Sequence, residues 1–189
     1  MGILGEILFA GAATTFIVLE VFIILRQKKT ACKTKDKNSN RILDRSINAA
    51  IIIGIIFYFF HFLSIPGSRE TGFFVGSIVM WAGLFIRVWA VSRIGLAFTT
   101  VVMAHENQKV VTNGPYRFIR HPAYAGSMLI FIGFGISMGN IIGLALIIAV
   151  IFFGYFQRIK VEEHVMLSTI GDEYRKYMEK TKRIIPLIY

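Results

Sequence analysis

The apolar positions of this chain gather in long blocks separated by short charged segments, in place of the alternation expected of a half-buried strand. A membrane-crossing helix needs about 20 mainly apolar residues to span about 30 Å of hydrocarbon. Residues 3–25 meet that length despite Glu6 and Glu20. No basic region precedes this block and no small-residue cleavage site follows it, so a retained anchor fits better than a removed signal peptide. The pattern predicts a second span over 47–65, ended by Pro66-Gly67, and a third over 73–91 after a turn carrying Arg69 and Glu70. Runs at 123–138 and 141–156 predict a helical hairpin broken only by Gly139-Asn140. Both runs are short for a crossing and must tilt, borrow flanking residues or thin the local bilayer.

Charge gives these spans a direction. Residues 26–45 carry eight Lys/Arg against Asp36 and Asp44, and 92–122 carry Arg93, Lys109, Arg117 and Arg120 against Glu106. With the charged segment after Phe156, these regions hold every Lys/Arg except Arg69 and Arg87. The bias toward a cytoplasmic positive side then predicts five transmembrane helices with the N-terminus outside and the C-terminus in the cytoplasm. The expected class is an all-α integral, multi-pass membrane protein with a cytoplasmic site and an amphipathic C-terminal helix, in the cell membrane if the source is prokaryotic. Residues 1–91 would form three helices around a basic loop at 26–46. Residues 92–189 would form a second region of loop (92–122), hairpin (123–156) and tail (157–189).

Composition agrees: of 189 residues, 55% are hydrophobic and 17% charged, with a net charge of +10. Intrinsic disorder does not fit, because it needs low hydrophobicity, and neither does a free nucleic-acid-binding domain, despite the basic balance. The lone Cys32 forms neither an internal disulfide nor a cysteine-based zinc site. Gly72/Gly76, Gly135/Gly139 and Gly139/Gly143 have the small-residue spacing that lets helices approach closely, which suits packing within the chain or a dimer seam.

Candidate chemistry concentrates in two places. In Arg120-His121-Pro122-Ala123-Tyr124, Pro122 can open a helix at its first turn, placing His121 at the helix N-terminus. That end suits an anionic ligand group, with His121 and Tyr124 as donors, although simple capping explains a His-Pro step equally. Arg158, Glu162 and Glu163 follow the last apolar block, where charges at a lipid boundary mark either a substrate path or a surface ion pair at i, i+4. His61 and Arg87 lie within spans and read as paired or snorkelling groups, or as ligands, and His105 has no partner in reach. No metal-ligand spacing, nucleophile elbow or dinucleotide-binding glycine loop is present in the sequence.

Three blocks taken together resemble the isoprenylcysteine carboxyl methyltransferases. They are Val111-Thr112-Asn113-Gly114-Pro115-Tyr116, then Arg120-His121-Pro122-x-Tyr124-x-Gly126, then Glu162-Glu163 leading through Leu167 to Gly171-Asp172-Glu173-Tyr174 and Tyr177. The likeness covers 108–186, in the family's order, and the small size is similar to the compact prokaryotic or archaeal members. It implies a methyltransferase that uses S-adenosyl-L-methionine without a Rossmann domain and releases S-adenosyl-L-homocysteine. The implied cofactor contacts are Gln108, Lys109, Val110 and Val111, then Tyr116, His121, Pro122, Ala123 and Tyr124, and one or other of Glu162 and Glu163. Gln108 stands where the eukaryotic members usually carry a histidine. Arg158 would face the methyl acceptor, and Arg158 and Glu163 would be the catalytic pair.

The expected partners are the lipid bilayer and a prenylated cysteine or other lipophilic acceptor, whose apolar chain would enter laterally from the membrane. A phospholipid amine or small thiol is the alternative acceptor within the wider superfamily. A non-enzymatic membrane scaffold or transporter subunit is the reading outside the enzymes.

Overall fold

A computed structural model of the chain describes residues 2–27, 38–59, 68–95 and 110–185. The described residues form helices and turns, and an isolated bridge pairs Ile119 with Lys182. The helices are α1 (Gly2–Gln27), α2 (Asn38–Phe59), α3 (Ser68–Ile94), α4 (Pro122–Ser137), α5 (Ile141–Ile170) and α6 (Asp172–Lys180), with a short 3₁₀ turn at Gly114–Arg117. Helices α1, α2, α3 and α5 are long and apolar enough to cross a membrane. Helix α4 has 16 residues and spans about 24 Å at 1.5 Å per residue, less than the hydrocarbon thickness.

The distribution of side chains is that of a protein solvated by lipid. Ile3, Phe59, Phe85 and Phe153 face outward, whereas Ser39, Ser46, Ser77, Ser127 and Ser137 are buried between helices. Helix α1 lies on α3, α3 on α4, α4 on α5, and α5 on α2, so neighbours in sequence are not always neighbours in space.

The α3–α4 contact is the closest because four glycines remove the side chains between the backbones. A Cβ on Gly126 would stand 2.7 Å from the Gly83 carbonyl oxygen, and one on Gly133 2.5 Å from that of Gly76. Such approach is typical of membrane helices, where packing replaces the hydrophobic effect as the associating force. The glycine spacings singled out in the sequence serve packing within the chain: Gly72 meets the Ile136 carbonyl and Gly143 meets Phe57.

The hairpin turn forms as its residues predict. Gly139 takes φ 68°, and the Asn140 side chain caps α5 by accepting the N–H groups of Ile142 and Gly143 at 3.0 Å.

Three boundaries differ from the hydropathy pattern, the first at α3, which takes in Arg69 and Glu70, residues expected in a turn before a span at 73–91. Residues 38–46, within the segment expected to be a loop, are already helical in α2, where Ser39, Leu43, Ser46 and Ala50 make a stripe that packs on α5. Helix α5 continues through the charged residues past Phe156 to Ile170, about 45 Å in all, where Gly171 at φ 69° ends it. Beyond the amphipathic α6, the backbone returns to the start of α4: Arg120 and His121 donate their N–H groups to the carbonyls of Lys182 (2.7 Å) and Arg183 (3.0 Å).

Candidate active site

Pro122 occupies the first turn of α4 and His121 its N-cap, but the imidazole makes no capping hydrogen bond. The His121 carbonyl starts the helix by accepting from Tyr124 and Ala125, which leaves the ring for other contacts. It stacks on the Tyr124 ring, 5.5 Å between centroids and 5° from parallel. On the facing helix, Tyr155, Arg158, Glu162, Met166 and Ile170 recur every three or four residues and form one stripe of α5. The α4 entrance and this stripe converge on one site.

Adjacent carboxylates on α5 have different surroundings. Glu163, its side chain 5% exposed, accepts from Arg120 Nε at 2.8 Å and Arg183 Nε at 2.9 Å, with His121 Nε2 at 3.4 Å. Arg120 in turn donates to the carbonyls of Met178 (3.1 Å) and Thr181. Glu163 is therefore the centre of a charge cluster that ties α5 to the start of α4 and to the strand-like return after α6. Glu162, 24% exposed, accepts from the Tyr124 hydroxyl at 2.6 Å and lines a cleft.

That cleft, of about 70 Å³, is bounded among the described residues by Val110, Val111, Ile94, Met166 and Ile170 on its apolar sides. Tyr116, Tyr174, Tyr177, Arg120, His121 and Glu162 supply the rest. Burial, reinforced by the negative charge of Glu162, pushes the phenols of Tyr116 and Tyr174 up, and burial pushes Tyr177 up to about 12. All three are neutral at physiological pH, so the cleft joins aromatic walls to the Glu162 carboxylate, which the Tyr124 hydroxyl engages. Tyr177 donates to the Tyr116 carbonyl at 2.7 Å, which holds α6 against the cleft.

Arg158 is 1% exposed and sits one helical turn before Glu162. Its Nη1 donates to Ser39 Oγ of α2 at 2.8 Å and its Nε to the Tyr124 hydroxyl at 3.5 Å. Tyr124 thus stands between a buried cation and the Glu162 carboxylate.

The structure brings together Val110, Val111, Tyr116, His121, Tyr124, Arg158, Glu162 and Glu163. Pro122 and Ala123 are buried beside them, with the Ala123 carbonyl accepting from Arg87 Nη1 at 3.0 Å. Gln108, Lys109, Cys32, His61, Pro66, Gly67 and His105 lie outside the described residues. Arg87 proves to be paired, its guanidinium 2.5 Å from Glu20 of α1. Sequence reasoning gave no role to Ser39, Arg120, Tyr174, Tyr177 or Arg183. Arg120 and the two tyrosines lie inside the blocks that carry the resemblance, whereas Ser39 and Arg183 have no local signal.

Comparison with known proteins gives the chain its class. Residues 71–173 match the family described as phospholipid methyltransferase. The protein-S-isoprenylcysteine O-methyltransferase of Schizosaccharomyces pombe is 33% identical over 108 residues, 56% of this chain and 46% of that one. A probable protein-S-isoprenylcysteine O-methyltransferase of Oryza sativa subsp. japonica is 31% identical over 130 residues, 67% of this chain and 68% of that one. The chain thus spans under half the length of the first relative and about two thirds of the second. The solved structure of the eukaryotic intramembrane Ras methyltransferase ICMT (isoprenylcysteine carboxyl methyltransferase) superposes with a TM-score of 0.68 at 20% identity, over 97% of this chain and 68% of that one. The fold is therefore shared. The chain belongs to the phospholipid methyltransferase family and, within it, to the isoprenylcysteine carboxyl methyltransferases.

Proposed function

We propose that this protein methylates the carboxylate of a prenylated cysteine, taking the methyl group from S-adenosylmethionine at the face of the membrane. The observation that carries the reading is the Tyr124 hydroxyl, which links the cleft carboxylate Glu162 to the buried cation Arg158 across one turn of α5. Two sites of opposite charge, one beside an aromatic cleft and one in the helix bundle, suit a soluble cationic donor and a lipid-borne anionic acceptor.

The residues of the cleft fit the donor chemically. Glu162 would pair with its ammonium, His121 with its carboxylate, and the neutral Tyr116 ring suits a sulfonium. Val110, Val111, Met166 and Ile170 offer apolar walls for the nucleoside. When bound, S-adenosylmethionine supplies a methyl group activated by the sulfonium. Arg158 would hold the acceptor carboxylate, which is already ionised at neutral pH because an α-carboxyl titrates near about 3.5, so no strong base is required. Alignment is the larger task, and well-oriented models gain about 7–11 kcal/mol from it. Glu163 has a positioning role in this reading, through Arg120 and Arg183.

The same reading has five spans, with α4 as the fifth, and places the site and C-terminus on the cytoplasmic side. The clustering of Lys/Arg in 26–45, 92–122 and the tail supports that orientation. The matched family's description favours a phospholipid amine as the second acceptor class.

Calorimetry with S-adenosylmethionine, followed by transfer of its tritiated methyl group to S-farnesylcysteine, tests the proposal in detergent or liposomes. Micromolar binding and a product that releases labelled methanol in alkali are expected. Replacing Arg158 with Ala should cut turnover at least about a hundredfold while sparing donor binding. An alkali-stable methyl product would point to an amine or thiol acceptor. Failure to bind the donor would overturn the enzymatic reading.

A further inference from the structure

Helix α2 contributes a residue to the acceptor side of the site that no local pattern marks. Ser39, the second residue of α2, is 3% exposed, and its hydroxyl accepts from Arg158 Nη1 at 2.8 Å across 119 positions of sequence. Packing one and two turns away holds it there. A Cβ on Gly154 would meet Ser46 Cβ at 2.7 Å and Leu43 Cδ1 at 3.4 Å, so a side chain at 154 would force α2 away from α5. Gly154 lies one turn before Arg158 on α5, as Leu43 and Ser46 lie one and two turns after Ser39 on α2. The two helices are antiparallel in this stretch, and the small residue at 154 brings the Ser39 hydroxyl into reach of the guanidinium.

A guanidinium is planar, and two contacts at different nitrogens fix its plane. Ser39 engages Nη1 and Tyr124 engages Nε, from two different helices. Both of these groups are hydroxyls, which orient a guanidinium by accepting its N–H bonds. Orientation matters because a carboxylate binds arginine best through two parallel hydrogen bonds, and that geometry is lost when the fork turns.

We propose that Ser39 is a positioning residue for the acceptor carboxylate, acting through Arg158, and that α2 is thereby part of the catalytic unit. The proposal rests on the functional reading above. It also gives the helical residues 38–46 a place in the site, since those turns carry Ser39 to the depth of Arg158.

The experiment compares wild type with S39A and S39T in liposomes, measuring kcat and KM for S-farnesylcysteine and the Kd for S-adenosylhomocysteine. The Arg158 Nε–H signal is followed in parallel by ¹⁵N NMR of arginine-labelled protein. S39A is expected to lower kcat/KM about tenfold or more, mainly through KM, while the Kd moves less than twofold. Its Arg158 signal should broaden or exchange faster than in wild type. S39T keeps the hydroxyl and should recover most of both. Equal kcat/KM in S39A and wild type would overturn the proposal, as would a parallel loss of S-adenosylhomocysteine affinity, which indicates general damage. If wild type transfers no methyl group, the functional reading has failed. The NMR comparison then still decides the role of Ser39 toward Arg158, and an unchanged signal in S39A overturns it.

Discussion

Glu162 and Glu163 differ by one position and about 100° around α5, and that rotation gives them different work. Glu163 neutralises Arg120 and Arg183 in a nearly closed environment, so Glu163→Gln leaves two cations short of their anion. Removing one partner from a buried charge cluster costs about 3–5 kcal/mol. The expected result for this variant is a protein that unfolds earlier in a thermal or SDS titration. Glu162→Gln should leave stability nearly unchanged and weaken donor binding about tenfold to a hundredfold, the worth of a hydrogen bond to a charged group. Calorimetry and unfolding on the same two preparations separate these outcomes, and equal behaviour would refute the division of labour. The neighbourhood of His121, Tyr124 and the two glutamates could be read from the chain, since Pro122 sets the helix start and one α5 face carries the rest. Which glutamate faces the cleft could not, because the choice depends on Arg183, brought back by a turn after α6.

At the level of helices, hydropathy marked an apolar block in each long helix but left out the helical residues 38–46 of α2, the first turn of α3 with Arg69 and Glu70, and the charged end of α5. The reason is physical: hydropathy reports the length in contact with lipid, whereas a helix continues as long as its backbone bonds and side-chain packing hold. Arg41 and Arg45 interrupt the apolar pattern while Leu43 and Ser46, on the other face of the same turns, pack against α5. The glycines show the complementary case, since their spacing was visible but their partners were not. Gly133→Ala would put a methyl group 2.8 Å from the Met80 amide nitrogen as well as against the Gly76 carbonyl, both rigid helical backbone. Overpacking of this kind costs about 1–3 kcal/mol. The control is Gly11→Ala, where the nearest atom is a Trp81 ring carbon at 3.5 Å. In SDS-induced unfolding, the first variant should be destabilised and the second unchanged or slightly more stable.

For the molecule as a whole, membrane character was evident from composition, but the order α1, α3, α4, α5, α2 in space was not. Part of that order is held by a contact no periodicity reveals. Arg87 of α3 joins Glu20 of α1 and also donates to the Ala123 carbonyl in the first turn of α4, so one guanidinium links three helices just beneath the site. Glu20→Ala would strand a side chain that is 6% exposed, at a cost of about 3–5 kcal/mol. Replacing Glu20 and Arg87 together with leucine should recover much of that loss, because a buried pair contributes little net stability beyond well-packed apolar residues. A double-mutant cycle on unfolding in detergent measures the coupling directly, and additive effects would dismiss the linkage.

The shortness of α4 carries a kinetic consequence. Its N-terminal end bears His121 and Tyr124 and lies about 24 Å from the Gly139-Asn140 turn, so in the proposed five-span arrangement both side chains would be held at the margin of the hydrocarbon. An acceptor confined to the leaflet then meets them by lateral diffusion, and the concentration that governs encounter is its mole fraction among lipids. Adding plain vesicle lipid at constant enzyme and acceptor would slow the reaction by surface dilution, although nothing in the bulk solution had changed.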